Sequence, residues 1–130
     1  MGSKRVSAHV LFVDPSARVL LRLRDDRPEL PYPGQWDLVG GAVEFRETIR
    51  EAALREVREE IGLDAVGLEY FGEYPEHGVD NNVFVAPLSV PLEELVLTEG
   101  QRLIYASAVE ARELRLVSWV ARLLGDFFRT

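Results

Sequence analysis

Glu56, Glu59 and Glu60 stand at i, i+3 and i+4 in a stretch that reads as helix. With Ile49 as origin and about 100° per residue, Ala53, Val57, Ile61 and Leu54 trace an apolar arc from about 40° to about 140°. On the same wheel Glu60 falls at about 20°, Glu56 at about 340° and Glu59 at about 280°, beside or inside that arc instead of opposite it. Like charges at this spacing repel by roughly 0.2–0.5 kcal/mol per pair even when exposed. A helix selected only for stability alternates signs, as Glu51 and Arg55 do. A Glu-rich helix is most often a solvated face, but these positions point to another use. Hard divalent cations such as Mg²⁺ take oxygen ligands, commonly a few carboxylates together with substrate phosphates. Just upstream, Gly40-Gly41 lets the backbone approach an ion or phosphate closely, so the Gly40 carbonyl could join such a shell.

The elements that must position these groups follow from the pattern. Val6 to Val13 reads as a strand, and Asp14-Pro15-Ser16 turns it into a second, Arg18 to Arg24. Asp25 to Gln35, with Pro28, Pro31, Pro33 and Gly34, reads as a surface loop. Trp36 to Val39 is a short strand ending at the two glycines, and the helix runs from Glu47 to Ile61 with Gly62 as its C-terminal cap. Strands are expected at Leu68 to Tyr74, Val83 to Val90 and Leu103 to Ala106, with a polar loop over Pro75 to Asn82. Ser107 and Glu110 form a capping box, and Trp119, Val120, Leu123, Leu124, Phe127 and Phe128 stripe a terminal helix expected to dock on the sheet.

The chain has 130 residues, 47% of them hydrophobic, with 15 Lys and Arg against 22 Asp and Glu and a formal charge of −7. This is enough for one globular domain over 1–130 that buries roughly two-thirds of its unfolded surface. No apolar run approaches the ~18 residues that span a bilayer, so the expectation is a cytoplasmic protein without a membrane partner. The absence of cysteine excludes a disulfide framework, a thiolate metal site and a cysteine nucleophile. Net acidity argues against binding a nucleic acid polymer, which takes a basic face. An anionic substrate would need cations between itself and this surface.

Residues Gly41 to Leu63 fit, without a gap, the pattern G-x5-E-x7-R-E-U-x-E-E-x-G-U, where U is a bulky aliphatic residue. This resembles the signature of the Nudix hydrolase family, in its MutT-like form. The fixed positions are Gly41, Glu47, Arg55, Glu56, Glu59, Glu60 and Gly62. Val39 stands where members often have Pro, and Arg46 where Gly is common, which bears on loop shape and not on a catalytic position. The resemblance implies an α/β fold, a Nudix-type α/β/α sandwich with a mixed sheet between helices. It also implies Mg²⁺- or Mn²⁺-dependent hydrolysis of a nucleoside diphosphate linked to another moiety. Glu56, Glu59 and Glu60 would hold the metal with the Gly40 carbonyl. Glu47 and Arg55 would pair to brace the loop and orient the helix, with Gly41 and Gly62 shaping the backbone. Glu99 looks like the further glutamate that MutT-like members bring from a later loop, with Glu93, Glu94 and Glu110 as competitors. Either Glu56 or Glu99 would take the proton of the attacking water.

Arg24, with Arg22 or Arg27, could fork onto phosphate oxygens, since guanidinium suits bidentate phosphate contact. Arg22 and Arg24 share a sheet face by period two, a face that could equally be a solvent-facing strand edge. His9 and His77 are isolated and receive no role. Within the family the favoured substrate is a small-molecule nucleoside triphosphate, cleaved as a pyrophosphohydrolase. The alternative is a nucleotide sugar or similar conjugate, and further off a non-catalytic nucleotide-binding module. Gly78-Val79-Asp80-Asn81 lacks the proline of the ADP-ribose type and the tyrosine of the dinucleoside polyphosphate type. A homodimer is left open.

Overall fold

The structure is a computed structural model that describes residues 5–129. Seven strands make one mixed sheet: β1 (Arg5–Val13), β2 (Val19–Leu23), β3 (Trp36–Asp37), β4 (Val39–Ala42), β5 (Glu69–Glu76), β6 (Val79–Pro87) and β7 (Arg102–Ala106). Among the described residues there are also three helices, α1 (Ile49–Ile61), α2 (Ala108–Arg112) and α3 (Ser118–Arg129), and a 3-10 turn at Leu92–Glu94. β1 pairs in parallel with β6 and antiparallel with β2 and β4; β2 also carries β3 and β7, and β5 closes the far edge on β6.

Period-two alternation along the central strands sends side chains to two cores. Ala8, Val10, Phe12 and Leu20 pack with Ala52, Ala53, Val57 and Ile61 of α1 on one face. Leu11, Val19, Leu21, Leu38 and Val83 pack with Trp119, Val120, Leu123 and Leu124 of α3 on the other. The α/β/α sandwich is therefore the observed architecture, and the apolar stripe of the last helix docks on the sheet as expected. No helix among the described residues is long and apolar enough to cross a membrane.

Apart from shifts at element ends, such as β6 stopping at Pro87 where a strand to Val90 is expected, two segments depart from the expected elements. The strand expected over Trp36 to Val39 is two strands, and the glycines lie inside the second. β1 and β2 share only the register pair Val13↔Val19 beside their turn; residues 36–42 run along both, first beside β2 with Arg22↔Asp37, then beside β1 with His9↔Gly40 and Ala8↔Gly41. The stretch expected as a polar loop over Pro75 to Asn82 is instead a hairpin. His77 (φ 50°) and Gly78 (φ 77°) take left-handed backbone at its tip, which matches the twist of paired strands, and β6 begins at Val79. Its polar run stays in the sheet because other strands satisfy it. Asn81 accepts from the Ser7 hydroxyl at 2.7 Å and donates to the Tyr74 carbonyl at 3.0 Å, and Asn82 accepts from the Tyr70 hydroxyl at 2.9 Å.

Candidate active site

α1 starts two residues later than the pattern suggests because Thr48 caps it. The Thr48 side chain accepts from the Glu51 amide and Glu51 accepts from the Thr48 amide, the reciprocal box that satisfies two orphan donors. Gly62, at φ 66° and ψ 28°, ends the helix in left-handed backbone and donates to the Arg58 carbonyl. Between these caps the helix turns Glu56 and Glu60 toward the sheet and leaves Glu59 on the open side. Glu60 is only 2% exposed. A Cβ at Gly41 would lie 2.7 Å from the Glu56 carboxylate, so this strand position admits no side chain while Glu56 points where it does.

Arg55 sits at the centre of the outer half of the cluster. Its Nε and Nη2 donate to the two oxygens of Glu47 at 2.6 and 2.9 Å. Nη1 donates to Glu56 at 2.8 Å and to Glu59 at 3.2 Å, and Nη2 also reaches the Ala42 carbonyl at 3.0 Å. Glu47 in turn accepts from the Glu44 amide at 2.9 Å, which ties the loop before the helix to the pair. The hydrogen bonds from Arg55, helped by that amide, hold the Glu47 carboxyl down to about 2 from an ordinary value of 4.5. A depressed folded-state value adds stability above pH 4.5 that disappears as the pH falls toward about 2. The melting temperature of Glu47→Gln should accordingly lie below the parent's at pH 6, approach it below pH 4.5 and match it near the lower value. A difference that does not change with pH would mean that this ion pair contributes nothing as a charge.

The inner half of the cluster is built around Arg22. It pairs with both oxygens of Asp37, each at 3.2 Å, and donates through Nη1 to Glu60 Oε1. The same Nη1 stands 3.8 Å from Glu99 Oε2. Burial raises the Glu60 carboxyl above its ordinary value, and the nearby Glu56 and Glu99 push it the same way against the pull of Arg22. Glu60 Oε2 is buried without a partner. Glu99 comes to this side because Thr98 binds the end of α1, its amide donating to the Glu60 carbonyl at 2.9 Å and its hydroxyl to the Glu59 carbonyl at 2.7 Å. The rival Glu110 caps Ser107 instead, and Glu93 and Glu94 lie exposed in the 3-10 turn.

The three arginines expected to grip phosphate are placed differently. Arg22 is not on a solvent-facing edge; it is 4% exposed and donates to the carboxylates of Asp37 and Glu60. Arg24 donates to Asp37 at 2.9 Å and to the Pro31 carbonyl at 2.9 Å, which leaves further guanidinium donors over. Arg27 is exposed and lies 3.5 Å from Glu29. All three line a small recess of about 60 Å³ together with Glu99 and Gly100.

A larger recess, of about 230 Å³, opens on the other side of Asp37 and Gly41 and is walled by Ser7, His9, Tyr32, Asn81 and Trp119. Burial pushes His9 down to about 4, so the ring is neutral at pH 7. The Ser7 hydroxyl is given to Asn81, so His9 Nε2, 2.9 Å from that oxygen, carries the ring proton, and Nδ1 is left as a buried acceptor with no partner. Neither His9 nor Asp37 is among the residues whose type and spacing point to a role in the sequence. A weaker signal for Asp37 was present: a carboxylate between Trp36 and Leu38 in a strand needs a cation, and Arg22 and Arg24 stand at the spacing of one strand face.

Among the described residues, no three His, Cys, Asp or Glu side chains are already converged as a metal site. The donor chemistry nevertheless suits a hard divalent cation: all the acids are oxygen donors, Glu56 lies against Gly41 one helical turn from Glu60, and Glu60 Oε2 is buried without a hydrogen-bond partner. In the arrangement seen, Arg22 and Arg55 supply the compensating charge.

A model of the NUDIX domain family matches residues 3–121. Over 52 residues the chain is 48% identical to the nucleoside triphosphatase NudI of Escherichia coli O139:H28, a stretch covering 40% of this chain and 36% of that protein. The chain thus spans about a third of the length of the curated relatives it matches. Among solved structures, the MutT protein of Methanosarcina mazei Go1 superposes with a TM-score of 0.78 at 25% identity, over 96% of this chain and 93% of that one. The E. coli ORF135 protein superposes with a TM-score of 0.74 at 27% identity, over 99% and 93%.

Proposed function

The chain belongs to the Nudix domain family, and on that premise we propose that it hydrolyses a diphosphate bond in a small-molecule nucleotide, a nucleoside triphosphate in the first place, as a cytoplasmic enzyme dependent on Mg²⁺ or Mn²⁺. The observation that carries this reading is the buried Glu60 Oε2 without a hydrogen-bond partner, one helical turn from Glu56, whose carboxylate lies against Gly41. The relative named as a nucleoside triphosphatase supports the choice of substrate.

Glu56, Glu59, Glu60 and the Gly40 carbonyl would hold the metal, with Glu99 reaching in from its loop. The metal would neutralise charge on the diphosphate oxygens and favour ionisation of the attacking water. Glu47 and Arg55 fix where the Glu56 carboxylate points. A water attacks phosphorus, its proton passes to a carboxylate oxygen of Glu56 or Glu99, and the bridging oxygen departs with the leaving phosphate group. Arg24 and Arg27 are the cations available to the phosphate chain, since Arg22 is engaged by Asp37 and Glu60. The recess beside Asp37 is smaller than the roughly 300–1,000 Å³ of a whole-ligand cleft, which suits one ring system with sugar and phosphates passing over Gly41 toward the acids.

A panel of nucleoside triphosphates, nucleoside diphosphate sugars and dinucleotides, assayed with Mg²⁺ for released pyrophosphate and phosphate, tests the assignment. At least one triphosphate should turn over faster than every conjugate, with pyrophosphate as product. Faster cleavage of a sugar conjugate would overturn the triphosphate assignment, and no Mg²⁺-dependent turnover on any member would overturn the enzyme reading.

A further inference from the structure

Arg22 lies at the bottom of the acid cluster, 4% exposed, with every nitrogen of its guanidinium directed at a carboxylate. Nε and Nη2 each stand 3.2 Å from an oxygen of Asp37, and Nη1 is shared between Glu60 Oε1 and Glu99 Oε2. The fork on Asp37 is set by strand register, since Arg22 and Asp37 are direct partners across β2 and β3. That edge is further steadied by Arg24, which donates to the same Asp37. The opposite edge faces Glu60 and Glu99, which the proposed function assigns to a divalent cation, as it does Glu56 beside Glu60. A guanidinium and a divalent cation compete for the same carboxylate and repel each other at such range.

We propose that Arg22 is a positioning residue that serves as the built-in counter-ion of the cluster: it holds the Glu60 carboxylate while no divalent cation is bound and releases it when one is. This rests on the metal reading above. The anchor on Asp37 keeps the guanidinium in place for the reverse exchange, and Glu60 Oε2, buried without a hydrogen-bond partner, has its lone pairs uncommitted for the incoming cation. A buried acid beside Glu56 would otherwise be left without compensation. The exchange makes Arg22 stabilising in the metal-free protein and unfavourable to metal binding.

Two measurements on the whole chain test this without turnover. In Arg22→Met, the metal-free melting temperature should fall by about 5 °C or more, and Mn²⁺, followed by electron paramagnetic resonance, should bind roughly tenfold more tightly than in the parent and restore much of the lost melting temperature. Arg22→Lys, which keeps the charge and loses the fork, should fall between the two. In the parent protein, the Arg22 Nε–H resonance should shift as Mg²⁺ saturates the site, a readout that does not depend on any variant folding. Mn²⁺ affinity that is equal or weaker in Arg22→Met, or an Arg22 resonance indifferent to bound Mg²⁺, would overturn the exchange and leave the metal site standing. No Mn²⁺ binding in the parent would overturn both.

Discussion

Glu60→Gln is expected to cut Mg²⁺-supported turnover by about 10²-fold or more, at the upper end of what losing a group that merely supports a metal ligand costs, while leaving the fold intact. The amide keeps the size and one acceptor oxygen, so Arg22 retains a partner there in addition to its fork on Asp37. What is lost is a charge at the point where a divalent cation would need it, 2% exposed and out of reach of compensation by solvent. The stability cost should be small, because burial and the adjacent Glu56 already work against the ionised form of Glu60. Removing a carboxylate that the metal-free fold tolerates poorly relieves one repulsion while weakening one attraction. The measurements are kcat and kcat/KM on the best substrate of the panel, with a thermal melt and Mn²⁺ binding on the same preparation. Turnover within tenfold of the parent would remove Glu60 from the reaction, and a collapsed melt would make its role structural.

That Glu60 belongs at the core edge was legible in the sequence, because helical periodicity is a local property and places it beside Ala53 and Val57 whatever the rest of the chain does. The caps were legible for the same reason, at Gly62 and in the Ser107 box, whereas the sandwich followed only from the resemblance carried by Gly41 to Leu63. The fate of Arg22 was not. Period two gave its face correctly, but its partner Asp37 is determined by residues 36–42 running beside both β1 and β2, a pairing that no local pattern encodes. The hairpin at His77 and Gly78 was hidden for a related reason. Asp80, Asn81 and Asn82 look like loop residues because their polarity is local, whereas the groups that satisfy Asn81 and Asn82, Ser7, Tyr70 and Tyr74, come from other strands. The recess that the proposed function uses is walled by this same run, so a misread strand and an unread binding surface have one cause.

The paired glycines make the sharpest separation between fold and reaction, and Gly40→Ala and Gly41→Ala should fail in different ways. A Cβ at Gly40 would lie 2.4 Å from the Ala8 carbonyl oxygen and 2.5 Å from His9 Nδ1, with φ at +153°. The first of these neighbours is backbone of the central strand and cannot step aside without breaking the β1–β4 ladder. Overpacking of this kind costs about 1–3 kcal/mol, so the melting temperature of Gly40→Ala should drop by roughly 5–15 °C. At Gly41 the obstacle is the Glu56 carboxyl, 2.7 Å from the added carbon, which is the far end of a flexible side chain. Glu56 can swing away at little cost to stability, but it then abandons Arg55 and the position beside Glu60. Gly41→Ala should therefore melt within a few degrees of the parent and lose turnover by about 10²-fold or more, since small misplacements at a reacting centre are this expensive. Equal melting temperatures for the two variants would mean that the β1 backbone yields at Gly40. Full turnover in Gly41→Ala would mean that the carboxylate does not work from the place where the strand now holds it.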